Sequence, residues 1–236
     1  MIGPGSREPG ALIARGRSAD IYEFGEGRVL RRKRSGPIPA REPVVMRAVR
    51  AAGYPVPEVF VVDGSDMVLE RVAGIDMLRQ LERRPWRARR FGKMLAELHL
   101  RLAAITPDPA LLASDEVRQD LGPPESFVHS DLHPMNVILT GEGPVVIDWE
   151  GARLGPRDAD VAATWLLLEI AEVDDISMLL RPLVGLIRSQ LLRAFLARVP
   201  APSAPTVRAI CASRLTDHNM KPIELERIRA FREQHG

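Results

Sequence analysis

The chain has 236 residues, 45% of them apolar and 27% charged, a composition that predicts a globular fold of one domain or two small lobes. The formal net charge of +2, and a basic run without aromatic residues, predict no nucleic-acid partner. One cysteine excludes an internal disulfide, and no apolar run indicates a membrane span or a secretion signal, so we expect a cytoplasmic protein without a membrane partner.

The N-terminal part of the sequence predicts a small lobe built on one antiparallel sheet. Residues 1–10 indicate a loose tail, and residues 11–72 contain apolar stretches separated by turn residues. A helical apolar pattern at residues 42–52, followed by Gly53, predicts one helix within this lobe. Five strands are predicted at residues 12–14, 21–24, 28–32, 59–62 and 67–70.

After Gly74 the apolar pattern becomes mainly helical, which predicts a second lobe over residues 73–236. Short strands at residues 127–128, 137–139 and 145–148 interrupt this pattern. The two parts together predict an α+β fold with an N-terminal sheet and a mainly helical C-terminal lobe. Helices are predicted at residues 77–82, 86–104, 160–173, 176–198, 206–216 and 222–234.

The most informative segment is His-Ser-Asp-Leu-His-Pro-Met-Asn at residues 129–136, followed by Val-Val-Ile-Asp-Trp-Glu at residues 145–150. Its polar residues are spaced as phosphoryl transfer to a hydroxyl requires. Asp131 would orient or deprotonate the acceptor, whereas Asn136 and Asp148 would hold Mg²⁺ on the nucleotide phosphates. Asp148 is expected to lie at the end of its strand, beside residues 129–136, which we call the catalytic loop.

The segment resembles the aminoglycoside phosphotransferase family of the protein-kinase-like fold. The match is carried by residues 129–136, by Ile-Asp-Trp at 147–149 and by Asp-Val-Ala at 160–162, and it extends weakly over residues 12–170. The resemblance implies a two-lobed fold, ATP or GTP with Mg²⁺ as cofactors, and a small-molecule hydroxyl as acceptor. It also implies that His129 and Asp160 brace the catalytic loop, while His133 packs under the loop or reaches the phosphates.

The kinase pattern further predicts how the nucleotide phosphates are held. A lysine on the third strand normally pairs with a glutamate on the helix, and here Arg31 occupies the lysine position with Glu42 as its partner. Arginine is a forked donor rather than a point charge, so this is a departure from the pattern. Lys33 faces the same side of the strand and is the rival for the phosphate-binding role.

Two further segments complete the predicted nucleotide site. The loop at residues 16–20, including Ser18, would cover the phosphates through backbone N–H groups, although it lacks the glycine pattern of protein kinases. A plain hairpin loop is the alternative. The stretch at residues 67–74 resembles the hinge between kinase lobes, in which backbone groups near Glu70 and Val72 would bond the adenine edge.

The acceptor pocket is expected among the helices that follow Asp148. Acidic residues there would suit a cationic acceptor such as an aminoglycoside, an amino sugar or a choline-like compound, but a solvated acidic turn at residues 172–175 is the favoured interpretation. The identity of the acceptor, the oligomeric state and any role in antibiotic resistance therefore do not follow from the sequence. The acidic residues are Glu150, Glu169, Glu172, Asp174 and Asp175.

Two other functions stay open at this level. A pseudokinase-like module that binds nucleotide without turnover would account for Arg31 and for the short C-terminal part. An atypical protein kinase is the second alternative, although the chain has Asp-Trp-Glu at residues 148–150 where protein kinases have Asp-Phe-Gly, and no activation segment of ordinary length follows.

Overall fold

A computed structural model of the protein describes residues 9–16, 18–112, 121–170, 181–217 and 220–236. Most of the predicted N-terminal tail, residue 17 and the predicted helical residues 171–173 and 176–180 lie outside this part. Within the part described, no helix is both long and apolar enough to cross a bilayer. An N-terminal antiparallel sheet is followed by a mainly helical region, which confirms the predicted α+β class.

The N-terminal sheet contains the five predicted strands and is joined by one helix. These elements are β1 (Leu12–Arg15), β2 (Ala19–Glu23), β3 (Arg28–Lys33), α1 (Arg41–Ala51), β4 (Val59–Asp63) and β5 (Asp66–Glu70). The strand order is β1-β2-β3-β5-β4, and all neighbouring strands are antiparallel. Helix α1 buries Val45, Met46 and Val49, so the sheet and the helix share one apolar core.

The C-terminal part packs two small sheets among helices. The elements are β6 (Ile75–Asp76), α2 (Met77–Arg83), α3 (Ala88–Ala103), α4 (Pro109–Leu112), β7 (Ser126–Val128), β8 (Val137–Leu139), β9 (Pro144–Val146), β10 (Arg153–Gly155), α5 (Ala159–Ile170), α6 (Arg181–Leu196), α7 (Ala204–Leu215) and α8 (Pro222–His235). A three-stranded sheet has the order β6-β8-β9, and β7 pairs with β10 in a separate antiparallel ladder.

Several predicted boundaries were wrong for identifiable reasons. The helix predicted from residue 86 begins at Ala88, because a 3₁₀ turn at Pro85–Arg87 precedes it. The strand predicted through residue 148 ends at Val146, since Asp148 has a left-handed φ of 64° that cannot continue a pleat. Strands β6 and β10 were not predicted, because two or three residues carry no measurable alternation.

Residues 129–150, which we call the catalytic segment, are anchored in the main core through Trp149. Its indole is fully buried, packs edge-on against Tyr54 at 5.8 Å between ring centroids, and lies 4.6 Å from the ring of His129. The Val146 N–H also donates to the carbonyl of Pro55 at 2.8 Å. These contacts fix the residues on either side of Asp148 against the segment that follows α1.

Helices α3 and α6 lie close together at Gly92, which gives a stability prediction. A Cβ at this position would overlap the carbonyl oxygen of Leu191 and lie 3.1 Å from the backbone nitrogen of Phe195. We expect Gly92→Ala to lower the free energy of unfolding by about 1–3 kcal/mol, because the two helices must separate to admit the methyl group. Urea unfolding followed by circular dichroism measures the effect.

Gly185 supplies the matched control on α6. A Cβ there meets no described atom within 4 Å, so Gly185→Ala changes only the helix propensity. This variant is expected to raise the free energy of unfolding by about 0.5–1 kcal/mol. Equal effects at both glycines would contradict the close helix approach at Gly92.

Candidate active site

The sheet and helix α1 bring Arg31 and Glu42 into a buried ion pair. Arg31 lies on β3 and is 7% exposed, and its Nη1 donates to Oε1 of Glu42, which is 1% exposed. Burial raises the pKa of Glu42, although the neighbouring Arg31 partly counteracts it. A buried pair of this kind is costly to break from one side, since the remaining charge has no water to solvate it.

The carboxylate of Glu150 connects the side chains that were expected to hold the phosphates. It accepts hydrogen bonds from Ser18 Oγ at 2.9 Å, Arg31 Nη2 at 3.1 Å and Lys33 Nζ at 2.6 Å. Burial alone would raise the pKa of Glu150, but the bonds from Lys33 and Ser18 hold that pKa below its ordinary value. Arg31 and Lys33 therefore converge on one anion, and neither excludes the other.

The other predicted nucleotide contacts are those of Ser18 and of the backbone near Glu70 and Val72. Ser18 is exposed, and its side-chain hydroxyl donates a hydrogen bond to the Glu150 carboxylate, whereas the sequence had predicted a role for the backbone of this loop. At the hinge, the Glu70 N–H donates to the carbonyl of Glu58 at 2.9 Å. Among the described residues the N–H of Val72 has no hydrogen-bond partner, so this donor is available to a ligand.

The catalytic loop is braced from below by a buried carboxylate and a buried imidazole. Asp160 accepts from the backbone N–H groups of His129 and Ser130, both at 2.7 Å. His129 Nε2 lies 3.0 Å from the carbonyl of Ile147 and must carry the proton, while its Nδ1 accepts from the Asp131 N–H at 3.3 Å. These bonds support Ser130 at its left-handed φ of 72° and direct Asp131 away from the core.

Both carboxylate oxygens of Asp131 are hydrogen-bonded. Arg214 Nη2 donates to Oδ1 at 2.8 Å, whereas Oδ2 lies 3.2 Å from both Asn136 Nδ2 and His133 Nε2. Burial would raise the pKa of Asp131, but the hydrogen bond and charge of His133 and the charge of Arg214 hold it well below its usual range. Asp131 is therefore a stable anion, and His133 contacts this carboxylate.

Asn136 and Asp148 present the hard oxygen atoms that Mg²⁺ prefers. The amide nitrogen of Asn136 donates to the Asp131 carbonyl at 2.8 Å, which leaves its Oδ1 without a partner among the described residues. The side chain of Asp148 is 53% exposed and lies 3.8 Å from Arg31 Nη2. The Ile147 N–H donates to the carbonyl of Asn136 at 2.9 Å, so the two segments are adjacent. Two such ligands fit Mg²⁺, which keeps water and phosphate in its remaining positions.

A cavity of about 420 Å³ opens beside Asp131. The predicted acidic wall is only partly found there: Glu150 lines the cavity, Glu169 is exposed and does not, and Glu172, Asp174 and Asp175 lie outside the described residues. The lining carries both signs of charge, from Asp131, Asp148, Glu150, Asp217, Arg153 and Arg214.

Sequence reasoning missed two contributors to this site. Arg214 lies on α7, 83 residues beyond Asp131, and nothing in the helical pattern around it marks it as a partner of the loop. Glu150 was assigned to the acceptor wall, whereas its carboxylate lies among the phosphate-side cations. The position of Glu150, two residues after Asp148, could have indicated this contact. The loop that follows β9 lies against β3, where Glu150 meets Arg31 and Lys33.

The N-terminal sheet with its single helix, and the braced loop that carries Asp131 in the helical region behind it, have the arrangement of the kinase-like fold. The profile of the phosphotransferase enzyme family matches residues 101–181, which include the whole segment from His129 to Asp160. The resemblance inferred from that segment is thereby confirmed. No curated protein sequence matches the chain.

Solved structures agree on the fold. A thermostable mutant of aminoglycoside phosphotransferase APH(4)-Ia is 19% identical with a TM-score of 0.62, covering 97% of this chain and 95% of that one. APH(2'')-IIa, solved with streptomycin and ATP, is 12% identical with a TM-score of 0.61, covering 98% and 92%. The Plasmodium vivax ethanolamine kinase is 13% identical with a TM-score of 0.60, covering 94% and 81%. At these identities the likeness establishes the kinase-like fold.

Proposed function

We propose that the protein transfers the γ-phosphoryl group of ATP or GTP to a hydroxyl of a small molecule. The observation that carries this proposal is the placement of Asp131 next to Asn136 and Asp148, beside a cavity and opposite the Arg31–Glu42 pair. The similar structures include an aminoglycoside phosphotransferase and an ethanolamine kinase, so amino-containing alcohols are the first acceptors to test. A role in antibiotic resistance depends on that result.

The residues of the site divide the work of transfer. Asp131 holds the acceptor hydroxyl in line and takes its proton late, since a carboxylate with so low a pKa is a weak base. A loose phosphoryl transition state demands little activation of the nucleophile, so this weakness is no obstacle. Arg31, oriented by Glu42, and Lys33 hold the α- and β-phosphates, and Ser18 closes over them.

Asn136 Oδ1 and the Asp148 carboxylate are the ligands proposed for Mg²⁺. When bound, the ion neutralises charge on the phosphate oxygens of the nucleotide. The hinge backbone near Glu70 and Val72 would bind the purine. The N–H of Val72, which has no partner in the part of the chain that the structure describes, supports that assignment.

The proposal is tested first by titration calorimetry with ATP and GTP, each with MgCl₂ and with EDTA. ATP consumption is then screened against aminoglycosides, macrolides, amino sugars, choline, ethanolamine and homoserine. Nucleotide binding strengthened by Mg²⁺, and turnover with one acceptor class, are the expected results. A wild-type protein that binds neither nucleotide would refute the proposal.

Glu150 competes with phosphate oxygens for the same donors, which gives a further prediction. Glu150→Gln keeps the shape of the side chain and removes the negative charge that Arg31 and Lys33 now neutralise and to which Ser18 donates. We expect the Kd for ATP, measured in EDTA, to fall by about tenfold, equivalent to about 1.4 kcal/mol. Calorimetry measures this change directly.

Glu142→Gln is the control, because Glu142 is exposed in the turn between β8 and β9 and contacts none of these cations. It should leave the Kd for ATP unchanged. A weaker affinity in Glu150→Gln would show instead that this carboxylate assists nucleotide binding.

Binding of nucleotide without turnover is the second candidate. Two observations favour it. Glu150 already bonds the cation Lys33 on the phosphate side of the site, and Arg214 and His133 already bond the two carboxylate oxygens of Asp131. Slow ATP hydrolysis that disappears in Asp131→Asn would rule it out, whereas tight binding with no hydrolysis would favour it. Incorporation of phosphate into a protein, and into no small molecule, would instead indicate a protein kinase.

A further inference from the structure

Among the described residues, Arg214 is the one side chain of α7 that forms hydrogen bonds with the catalytic loop. Its Nη2 donates both to Asp131 Oδ1 at 2.8 Å and to the carbonyl of Ser130 at 2.9 Å. The side chain is 19% exposed and lines the cavity beside Asp131, together with its helical neighbour Ser213. A cation from a helix distant in sequence thus contacts the Asp131 carboxylate, which is proposed to bind the hydroxyl of the acceptor substrate.

The helix that carries Arg214 is tied to the same segment that braces the catalytic loop. Asp158 accepts from the Ser203 N–H at 2.7 Å and from Thr206 Oγ1 at 2.9 Å, at the start of α7. Two residues later, Asp160 accepts from the two N–H groups below the catalytic loop. The positions of α7 and of the loop are therefore set by one short stretch, which keeps Arg214 in register with Asp131.

The hydrogen bonds around Asp131 leave one direction from which the hydroxyl of the substrate can approach the carboxylate. A carboxylate has about four lone-pair sites, two on each oxygen. His133 and Asn136 approach Oδ2, whereas Arg214 alone approaches Oδ1 among the described residues. The remaining site for a hydroxyl donor is therefore on Oδ1, beside the guanidinium.

We propose that Arg214 is a positioning residue for phosphoryl transfer, which holds the Asp131 carboxylate so that Oδ1 meets the acceptor hydroxyl. This inference rests on the proposed function and adds to it a residue outside the catalytic segment. Arg214 acts through Asp131, so its loss should change kcat and leave nucleotide binding almost intact. A misplacement of about 1 Å at a reacting group can cost about 10²-fold in rate.

A double-mutant cycle with Arg214→Gln and Asp131→Asn tests the inference. Arg214→Gln is expected to lower kcat by about 10- to 100-fold, with the KM for ATP within about twofold of wild type. In the Asp131→Asn background it should lower kcat no further, because two residues that act as one unit are not additive. Residual rates are measured at high enzyme concentration with radiolabelled ATP.

Arg208→Gln is the matched control, since Arg208 is exposed on the same helix and the charge change is identical. Its kcat should equal that of wild type. If Arg214→Gln does not fold, Arg214→Lys takes its place in the cycle, because a single ammonium does not reproduce the fixed guanidinium geometry. Equal losses in the wild-type and Asp131→Asn backgrounds, or no loss in either, would overturn the inference.

A second cycle uses urea unfolding without nucleotide and needs no activity. Non-additive free energies of unfolding for the Arg214 and Asp131 variants are expected if the two side chains interact. Additive values in a protein that consumes ATP would contradict this inference alone. A wild-type protein that neither binds nor consumes ATP would contradict the proposed function, and with it the catalytic role of Arg214.

Discussion

Replacing Asp131 by Asn is expected to lower kcat by about 10²- to 10⁴-fold while the Kd for ATP stays close to that of wild type. Asparagine keeps the size of the side chain but can neither take the hydroxyl proton nor form the ion pair that Asp131 makes with Arg214. In the proposed site the nucleotide is held by Arg31 and Lys33, which bond Glu150 and which the substitution does not touch. Steady-state kinetics and calorimetry on the same preparation measure both quantities.

Asp66→Asn is the control for this prediction. Asp66 forms a similarly short ion pair, 2.7 Å from Arg32 on the sheet, and its side chain bonds no residue of the catalytic loop among the described residues. The control should keep the wild-type kcat. A kcat within tenfold of wild type in Asp131→Asn would remove Asp131 from its assigned role.

Replacing Asp148 by Asn is expected to abolish most of the gain in nucleotide affinity that Mg²⁺ provides, by about 10²-fold or more. Loss of a group that merely orients a metal ligand already costs about 10–100-fold in metal affinity, and here a charged ligand itself is lost. Asparagine tolerates the left-handed φ of 64° at this position, so the loop is expected to keep its conformation. Calorimetric titrations with ATP in MgCl₂ and in EDTA give the two affinities.

The EDTA titration is the internal control of that experiment. Without metal, Asp148→Asn should bind ATP at least as tightly as wild type, because the negative charge 3.8 Å from Arg31 is gone. A Mg²⁺ effect as large as in wild type would show that Asp148 does not hold the ion. An equal loss in MgCl₂ and EDTA would indicate damage to the nucleotide site as a whole.

Much of the N-terminal sheet was predictable because its order is local. Alternation and turn residues predicted β1 to β5 within two residues of their observed ends, and the helical pattern predicted α1. The pairing of Arg31 with Glu42 was predicted from the kinase pattern instead, in which a base on the third strand meets a carboxylate on the helix that follows. The 3₁₀ turn before α3 and the short strands β6 and β10 were missed, because such elements depend on their neighbours rather than on a pattern of their own.

The sequence alone predicted a phosphotransferase, because residues 129–148 form a compact unit: Asn136 bonds Asp131, and the β8–β9 hairpin returns the chain to Asn136 just before Asp148. Tertiary packing decided what surrounds that unit. The contact of Arg214 with Asp131 spans 83 residues, and that of Glu150 with Lys33 spans 117. Such contacts depend on how α7 packs on α5 and how the catalytic segment meets the sheet, which no local periodicity encodes. The roles of Asp131, Asn136 and Asp148 were thus proposed from the sequence, whereas only the folded protein reveals Arg214 as their neighbour.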